Sequence, residues 1–147
     1  METGRDPEVI YLNVYDVSSF NKALNWFGFG FYHTAVEIYG YEFSYGGHDY
    51  NISGIVCVEA GHSVGLVLKE RIMVGITYFN EDEIDEVIRN FGHYWKGIDY
   101  DPFQMNCNNF TRKMVEHIAD QSNYYYPHYI NRFTEVGPLI RMWFKPL

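Results

Sequence analysis

The sequence predicts an α+β domain in which an antiparallel sheet or barrel packs against helices. Alternating apolar residues mark strands in the first half of the chain, and Tyr39-Gly40 is a plausible two-residue turn between two of them. Segments of helical periodicity begin after Asn80 and after Asn106. A helical layer is therefore expected to pack against the preceding sheet.

The hairpin around Tyr39-Gly40 is the most specific part of this prediction. Alternation pairs Ile38 with Tyr41, Val36 with Phe43, and Glu37 with Glu42. Two facing glutamates repel each other unless water surrounds them. The sheet face that carries Glu37, Glu42 and His33 is therefore expected to be open to solvent.

The remaining elements follow from apolar periodicity. Strands are predicted at residues 9–15, 55–58 and 69–78, and helices at 19–26, 80–94 and 129–143, the last interrupted near Gly137-Pro138. Cys57 lies in the short apolar run, which favours a buried thiol in an interior strand. With 147 residues the chain is expected to form one domain over 9–147, preceded by a flexible arm at 1–8.

Composition excludes several classes of function. The net charge is −8 and basic residues do not cluster, which argues against nucleic acid as a partner. No apolar run is long enough for a membrane span. Two cysteines without a signal-peptide pattern favour a reducing compartment, the cytosol or the nucleus. The many aromatic side chains are expected mainly in the core. The alternative for some tyrosines is a place along a groove or a homodimer face.

The six histidines raise the question of a metal site. None of them pairs with another at four-residue spacing on a helix, and the chain has no Cys-x-x-Cys motif. We therefore expect no metal and no cofactor.

Cys107 is the predicted reactive residue. Asn106 is a good N-cap, and Phe110, Met114 and Ile118 recur at four-residue intervals, so that a helix begins close to the cysteine. Backbone N–H groups and the helix dipole favour a thiolate in the first turn and could stabilise a neighbouring oxyanion. The alternative is a small buried hydrophobe at a helix start.

His33 is the candidate base. It follows a glycine-containing bend and points away from the apolar side of its strand. The hairpin register brings Gly46 and Gly47 beside it, which leaves room for an extended chain. Ser44, diagonally across the hairpin, is the best nearby side chain to orient the imidazole, and a backbone carbonyl would serve as well.

Several short motifs together resemble the PPPDE peptidases, the desumoylating isopeptidases. In chain order they are Leu12-Asn13-Val14-Tyr15-Asp16, Tyr32-His33-Thr34 with Glu37, Tyr39-Gly40, Phe43-Ser44-Tyr45-Gly46-Gly47, and Asn106-Cys107-Asn108-Asn109-Phe110. The similarity runs from about residue 9 to about residue 137. It implies a circularly permuted papain-like cysteine peptidase fold, in which Cys107 matches the family nucleophile and His33 its base.

The resemblance also implies a reaction. The dyad would cleave the isopeptide bond between a ubiquitin-like modifier, SUMO or ubiquitin, and a lysine of a target protein. The backbone N–H of Cys107, with the side chain of Gln104 or Asn106, is the expected source of oxyanion stabilisation. Tyr45, Gly46 and Gly47 are expected to lie along the substrate cleft.

Two other classes of function stay open. The same dyad could act in a thioesterase or another acyl-transfer enzyme, and an apolar channel would favour that interpretation. A protein-binding module without activity is the third possibility, and an unreactive Cys107 would favour it.

Overall fold

The computed structural model describes residues 4–16, 32–63 and 66–131, and these form an α+β fold, as predicted. The elements are the strands β1 (Glu8–Asp16), β2 (Tyr32–Ile38), β3 (Tyr41–Tyr45), β4 (Ile55–Glu59) and β5 (Val67–Thr77), and the helices α1 (Glu81–Tyr94) and α2 (Cys107–Ile118). Short 3₁₀ segments cover Gly97–Asp99 and His128–Asn131. The helix predicted at 19–26, and most of that at 129–143, lie outside the described residues.

The five strands form one antiparallel sheet in the order β4-β3-β2-β1-β5. The predicted hairpin register is confirmed, including Glu37 opposite Glu42. Tyr39 and Gly40 both have positive φ, 52° and 80°, which two-residue hairpin turns of the primed type require. The Tyr39 hydroxyl donates to the carbonyl of Phe79 at 2.6 Å and so ties this strained turn to the loop before α1.

Both helices begin at capping boxes. Asn80 and Glu83 close the first turn of α1, as the sequence predicted, and Asn106 and Asn109 close that of α2. Asn109 occupies the box position where glutamate or glutamine is usual, so the sequence pattern did not predict the second capping box. Within the described part of the chain, neither helix has the length and apolar character that crossing a membrane requires.

The core lies between one face of the sheet and the two helices. Leu12, Val14 and Val36 of the sheet are fully buried, as are Phe110 and Met114 of α2. Burying each such side chain contributes about 1.5 to 3 kcal/mol to folding. Because α2 packs mainly on β2 and β3, this core fixes the start of the helix relative to the strand that carries His33.

The prediction of an interior strand at residues 55–58 is wrong. In the described sheet β4 is an edge strand paired with β3, the side chain of Val56 is 48% exposed, and Cys57 is also exposed. A short apolar run has too few residues for its periodicity to separate an edge strand from a central one.

The chain before β1 contacts α1. The guanidinium of Arg5 pairs with the carboxylate of Glu83. The division of the chain into a flexible arm at 1–8 and a single domain at 9–147 stays a prediction.

Candidate active site

Cys107 is the first residue of α2, as the sequence predicted. The Oδ1 atom of Asn106 accepts hydrogen bonds from the backbone N–H groups of Asn108 and Asn109, each at 3.0 Å. Its Nδ2 atom donates to the carbonyl of Pro102 at 2.9 Å. These bonds fix the first turn and hold the Cys107 side chain on the buried side of the helix, where it is 6% exposed.

The sulfur of Cys107 lies against the backbone of β2. In the described sheet, β2 pairs with β3 from Val36 to Ile38. The helix α2 contacts β2 at residues that precede this paired stretch. The thiol points to the carbonyl oxygen of Tyr32 at 4.0 Å, and the backbone N–H of Thr34 lowers the pKa of the thiol. Tyr32 and Thr34 flank His33, so the predicted nucleophile contacts the backbone on both sides of the predicted base.

A buried polar network anchors α2 to β2. Asn108 donates through Nδ2 to the carbonyl of Tyr32 at 3.1 Å, and its Oδ1 accepts from the hydroxyl of Thr34 at 2.7 Å. The Thr34 hydroxyl also lies 2.7 Å from that of Thr111, which lies 2.9 Å from the hydroxyl of Tyr126. Sequence reasoning missed this network, although Thr34 and Asn108 directly follow His33 and Cys107.

Tyr100 is a second residue that the sequence did not reveal. Its hydroxyl lowers the pKa of the Cys107 thiol, and its ring packs on Tyr45 with centroids 5.1 Å apart. A Cβ atom at Gly47 would lie 3.0 Å from the Cβ atom of Tyr100. Glycine at position 47 therefore allows the tyrosine to approach the cysteine.

The expectation that Tyr45 lies along a substrate cleft does not fit the structure. Its side chain is 1% exposed, and its hydroxyl donates to the carbonyl of Lys96 at 2.6 Å. Such a large aromatic residue is held in the core, where it supports Tyr100. Gly46, by contrast, has open space where a Cβ atom would stand, and Gly47 is exposed.

His33 lies on β2 directly opposite Tyr15 of β1. The two rings are tilted by 47°, with centroids 6.0 Å apart. Burial lowers the pKa of His33, and the negative charge of Glu42 acts in the opposite direction. His33, the predicted base, is therefore a neutral imidazole at neutral pH.

The prediction that the His33 face is open to water is wrong. Glu37 and Glu42 are only 8% and 1% exposed. The Nδ2 atom of Asn13 donates to both carboxylates, at 3.1 and 2.9 Å, and the guanidinium of Arg71 binds Glu37. Hydrogen-bond donors thus replace the water that a facing pair of glutamates was expected to need.

The preference for a thiolate that the helix start gives Cys107 is outweighed by burial. Burial raises the pKa of the Cys107 thiol, while the backbone N–H of Thr34 and the Tyr100 hydroxyl act in the opposite direction. The helix start offers partial charges, but removing the sulfur from water costs more. Cys107 and His33 therefore rest as a neutral thiol and a neutral imidazole.

The structure does not join the other candidate residues to the dyad. Gln104 is exposed and lines a groove of about 690 Å³ between α1 and α2, and the side chain of Asn106 is occupied by the helix cap. Ser44 is buried in β3. No hydrogen bond within the described part of the chain connects these three side chains to His33 or Cys107, and their roles stay predictions.

Comparison with known proteins gives one family. The PPPDE peptidase domain matches residues 8–143. A desumoylating isopeptidase 1 homolog of Caenorhabditis elegans is 31% identical over 143 residues, which are 93% of this chain and 41% of that protein. A DeSI-like protein of Arabidopsis thaliana is 30% identical over 128 residues, 87% of this chain and 56% of that protein.

A DeSI-like protein of Schizosaccharomyces pombe is 27% identical over 135 residues, 87% of this chain and 65% of that protein. The chain thus spans roughly half the length of these curated relatives. The family match, in contrast, covers nearly all of the chain, including β2 and the start of α2. The chain therefore belongs to the PPPDE peptidase family.

Proposed function

We propose that this protein is a cysteine isopeptidase that removes a ubiquitin-like modifier, SUMO or ubiquitin, from lysines of target proteins. Family membership supports a peptidase, and the name of the Caenorhabditis elegans relative supports an isopeptidase. The single observation that carries the proposal is the position of the Cys107 sulfur, between the backbone groups of Tyr32 and Thr34 that flank His33.

The proposed fold is a circularly permuted papain-like one. Its support is the order of the elements, since β2 with the histidine precedes α2 with the cysteine, and the helix start abuts that strand. Residues 9–147 would form its single domain.

The proposed reaction begins from the neutral dyad. His33 takes the proton of Cys107, and the thiolate attacks the carbonyl carbon of the modifier's C-terminal glycine. The resulting oxyanion collapses, the C–N bond to the lysine breaks, and His33 returns its proton to the departing amine. Water, deprotonated by His33, then cleaves the thioester, which releases the modifier's carboxylate and restores the thiol.

The surroundings of the sulfur favour this proton transfer once substrate has bound. The backbone N–H of Thr34 and the hydroxyl of Tyr100 both lower the pKa of the thiol, and both can donate to a negatively charged sulfur. The backbone N–H of Cys107, at the helix start, is the proposed oxyanion donor.

The proposed partners are conjugates of SUMO or ubiquitin, and a homodimer is a possible arrangement. We place the reaction in the cytosol or the nucleus. Both cysteines are free thiols, which agrees with a reducing compartment.

Covalent trapping tests the nucleophile. Purified protein is incubated with SUMO and with ubiquitin that carry an electrophile at the C-terminus, and the adduct is followed by mass spectrometry. We expect an adduct in the wild type and in Cys57→Ala, and none in Cys107→Ala. Because Cys57 is exposed, its variant is a matched control for loss of a thiol. An adduct that persists in Cys107→Ala would refute the proposal.

A second pair of variants tests the base. His33→Ala should slow adduct formation by about a hundredfold or more, the usual range for a general base. His93→Ala, at an exposed position of α1, should react like the wild type. Equal rates in the two variants would exclude His33 from the reaction.

A further inference from the structure

Glu42 is a buried carboxylate that the proposed reaction does not use. Its side chain accepts hydrogen bonds from the Tyr15 hydroxyl at 2.6 and 2.8 Å, from Asn13 Nδ2 at 2.9 Å and from the Ser63 hydroxyl at 2.8 Å. Burial of a carboxylate is costly, and this set of donors offsets that cost. The chain thus maintains a negative charge on the sheet face that carries His33.

Among the residues that the structure describes, no cation neutralises the charge of Glu42. Glu37, its cross-strand neighbour, is paired with the guanidinium of Arg71. No lysine, arginine or histidine of the described ranges forms an ion pair with Glu42, whose donors are all neutral groups. The negative charge of Glu37 is therefore compensated by Arg71, whereas that of Glu42 still acts on its surroundings.

Tyr15 connects this charge to His33. The tyrosine stands opposite His33 in the β1–β2 ladder, with its ring 6.0 Å from the imidazole, and the same side chain donates its hydroxyl to Glu42. Tyr15 is fully buried, so its ring has little freedom to move away from the histidine.

We propose that Glu42 is a positioning residue for the dyad and acts through Tyr15. Its carboxylate holds the tyrosine, whose ring holds the His33 imidazole, and its negative charge stabilises the imidazolium that forms when His33 takes the proton of Cys107. Glu42 itself gains no proton in this step. The inference rests on the proposed function, because it requires His33 to become positively charged during the reaction.

Several charged and titratable groups surround His33. On the described elements they are Tyr15 of β1, Glu37 of its own strand, Glu42 of β3, Arg71 of β5 and Cys107 of α2. The charges of Glu37 and Arg71 compensate each other, and Tyr15 and Cys107 are neutral at neutral pH. Glu42 remains the group whose charge opposes the effect of burial on the pKa of His33.

The first test is a titration of His33 by NMR in Glu42→Gln, with Glu37→Gln/Arg71→Gln, which removes a neutral ion pair, as the control and His33→Gln for assignment. Glutamine keeps an acceptor for Tyr15 and can donate to Ser63, so the shape of the site is preserved. We expect Glu42→Gln to lower the pKa of His33 by about one, a usual effect of losing a nearby charge. The double variant Glu37→Gln/Arg71→Gln, which removes both charges of that ion pair, should leave the pKa of His33 unchanged. An unchanged pKa in folded Glu42→Gln would overturn the proposal.

The second test measures modifier trapping by Cys107 in a double-mutant cycle. Glu42→Gln and Tyr15→Phe should each slow trapping about tenfold, and the double variant should be little slower than either one, since both break one connection. If the slowing in the double variant equals the product of the slowing in the two single variants, the two residues act independently, which would contradict the link through Tyr15.

Thermal unfolding of each variant separates folding defects from effects on His33. If Glu42→Gln does not fold, Tyr15→Phe, which retains the carboxylate, decides the question. An unaltered trapping rate in folded Tyr15→Phe would then overturn the proposal. If the wild type traps no modifier, the proposed function fails, but the NMR titration still decides whether Glu42 supports the charge on His33.

Discussion

The thiol of Cys107 points at the carbonyl oxygen of Tyr32 over 4.0 Å, which sets the first residue of α2 against the first residue of β2. Asn108 donates to the same carbonyl at 3.1 Å, so that two consecutive residues of the helix bind one peptide group of the strand. The position of the sulfur against the backbone of β2 is thus fixed by the Tyr32 carbonyl and by the neighbouring amide of Asn108.

The resting state of the thiol can be measured by alkylation. In the Cys57→Ala background, the rate of Cys107 alkylation should keep rising above pH 9.0, the ordinary thiol value, because burial raises the pKa of Cys107. Quantitative mass spectrometry of the labelled protein gives the pH profile. A rate that has reached its plateau by pH 7 would show a resting thiolate and contradict the neutral dyad.

Removing the Tyr100 hydroxyl should weaken the nucleophile. The Tyr100 hydroxyl lowers the pKa of Cys107, so Tyr100→Phe should raise it. We expect modifier trapping to slow about tenfold, since a hydrogen bond to a charged group is worth about 1.5 to 3 kcal/mol. Tyr94→Phe is the control, because the Tyr94 side chain is 67% exposed. Equal slowing of both variants would remove Tyr100 from the site.

The two helix caps offer a matched pair of variants. Asn106→Ala and Asn80→Ala each delete a capping side chain and should lower the free energy of unfolding by about 1 to 2 kcal/mol, as measured by urea denaturation. Only Asn106→Ala should also slow trapping, because it frees the turn that holds Cys107. If Asn106→Ala and Asn80→Ala trapped modifier equally slowly, the cap of α2 would have no special role in the reaction.

Stability should fall at alkaline pH. Burial raises the pKa of Tyr15 and of Tyr45 from 10.0 to about 12. Above pH 10 the unfolded chain therefore loses protons that the folded chain retains, and the free energy of unfolding decreases as the pH rises. Urea midpoints at pH 8 and pH 10.5 measure this decrease. A midpoint that is constant or higher at pH 10.5 would contradict the buried, neutral state of these hydroxyls.

The parts that the sequence predicted are those governed by local rules. Alternation around Tyr39-Gly40 gave the hairpin register, and the caps at Asn80 and Asn106 gave the starts of both helices. Each depends on contacts between residues a few positions apart, for which spacing in the sequence is direct evidence.

The parts that the sequence did not predict depend on distant contacts. The solvation of Glu42 is decided by Tyr15 and Ser63, which lie 27 and 21 residues away. The pKa of Cys107 is set by its burial against β2, about 75 residues earlier, and this effect outweighs the helix start. Tyr100 lies in a loop whose sequence gives no sign of the contact.

Cleavage of a defined conjugate tests the central claim most directly. A peptide whose lysine carries SUMO, and another whose lysine carries ubiquitin, are incubated with wild type, Cys107→Ala, His33→Ala and Cys57→Ala, and the products are weighed by mass spectrometry. The account predicts that wild type and Cys57→Ala release the intact modifier and the unmodified lysine from at least one conjugate, and that the two dyad variants do not. The account would be contradicted if Cys107→Ala released the modifier at the wild-type rate. It would also be contradicted if none of the proteins released it.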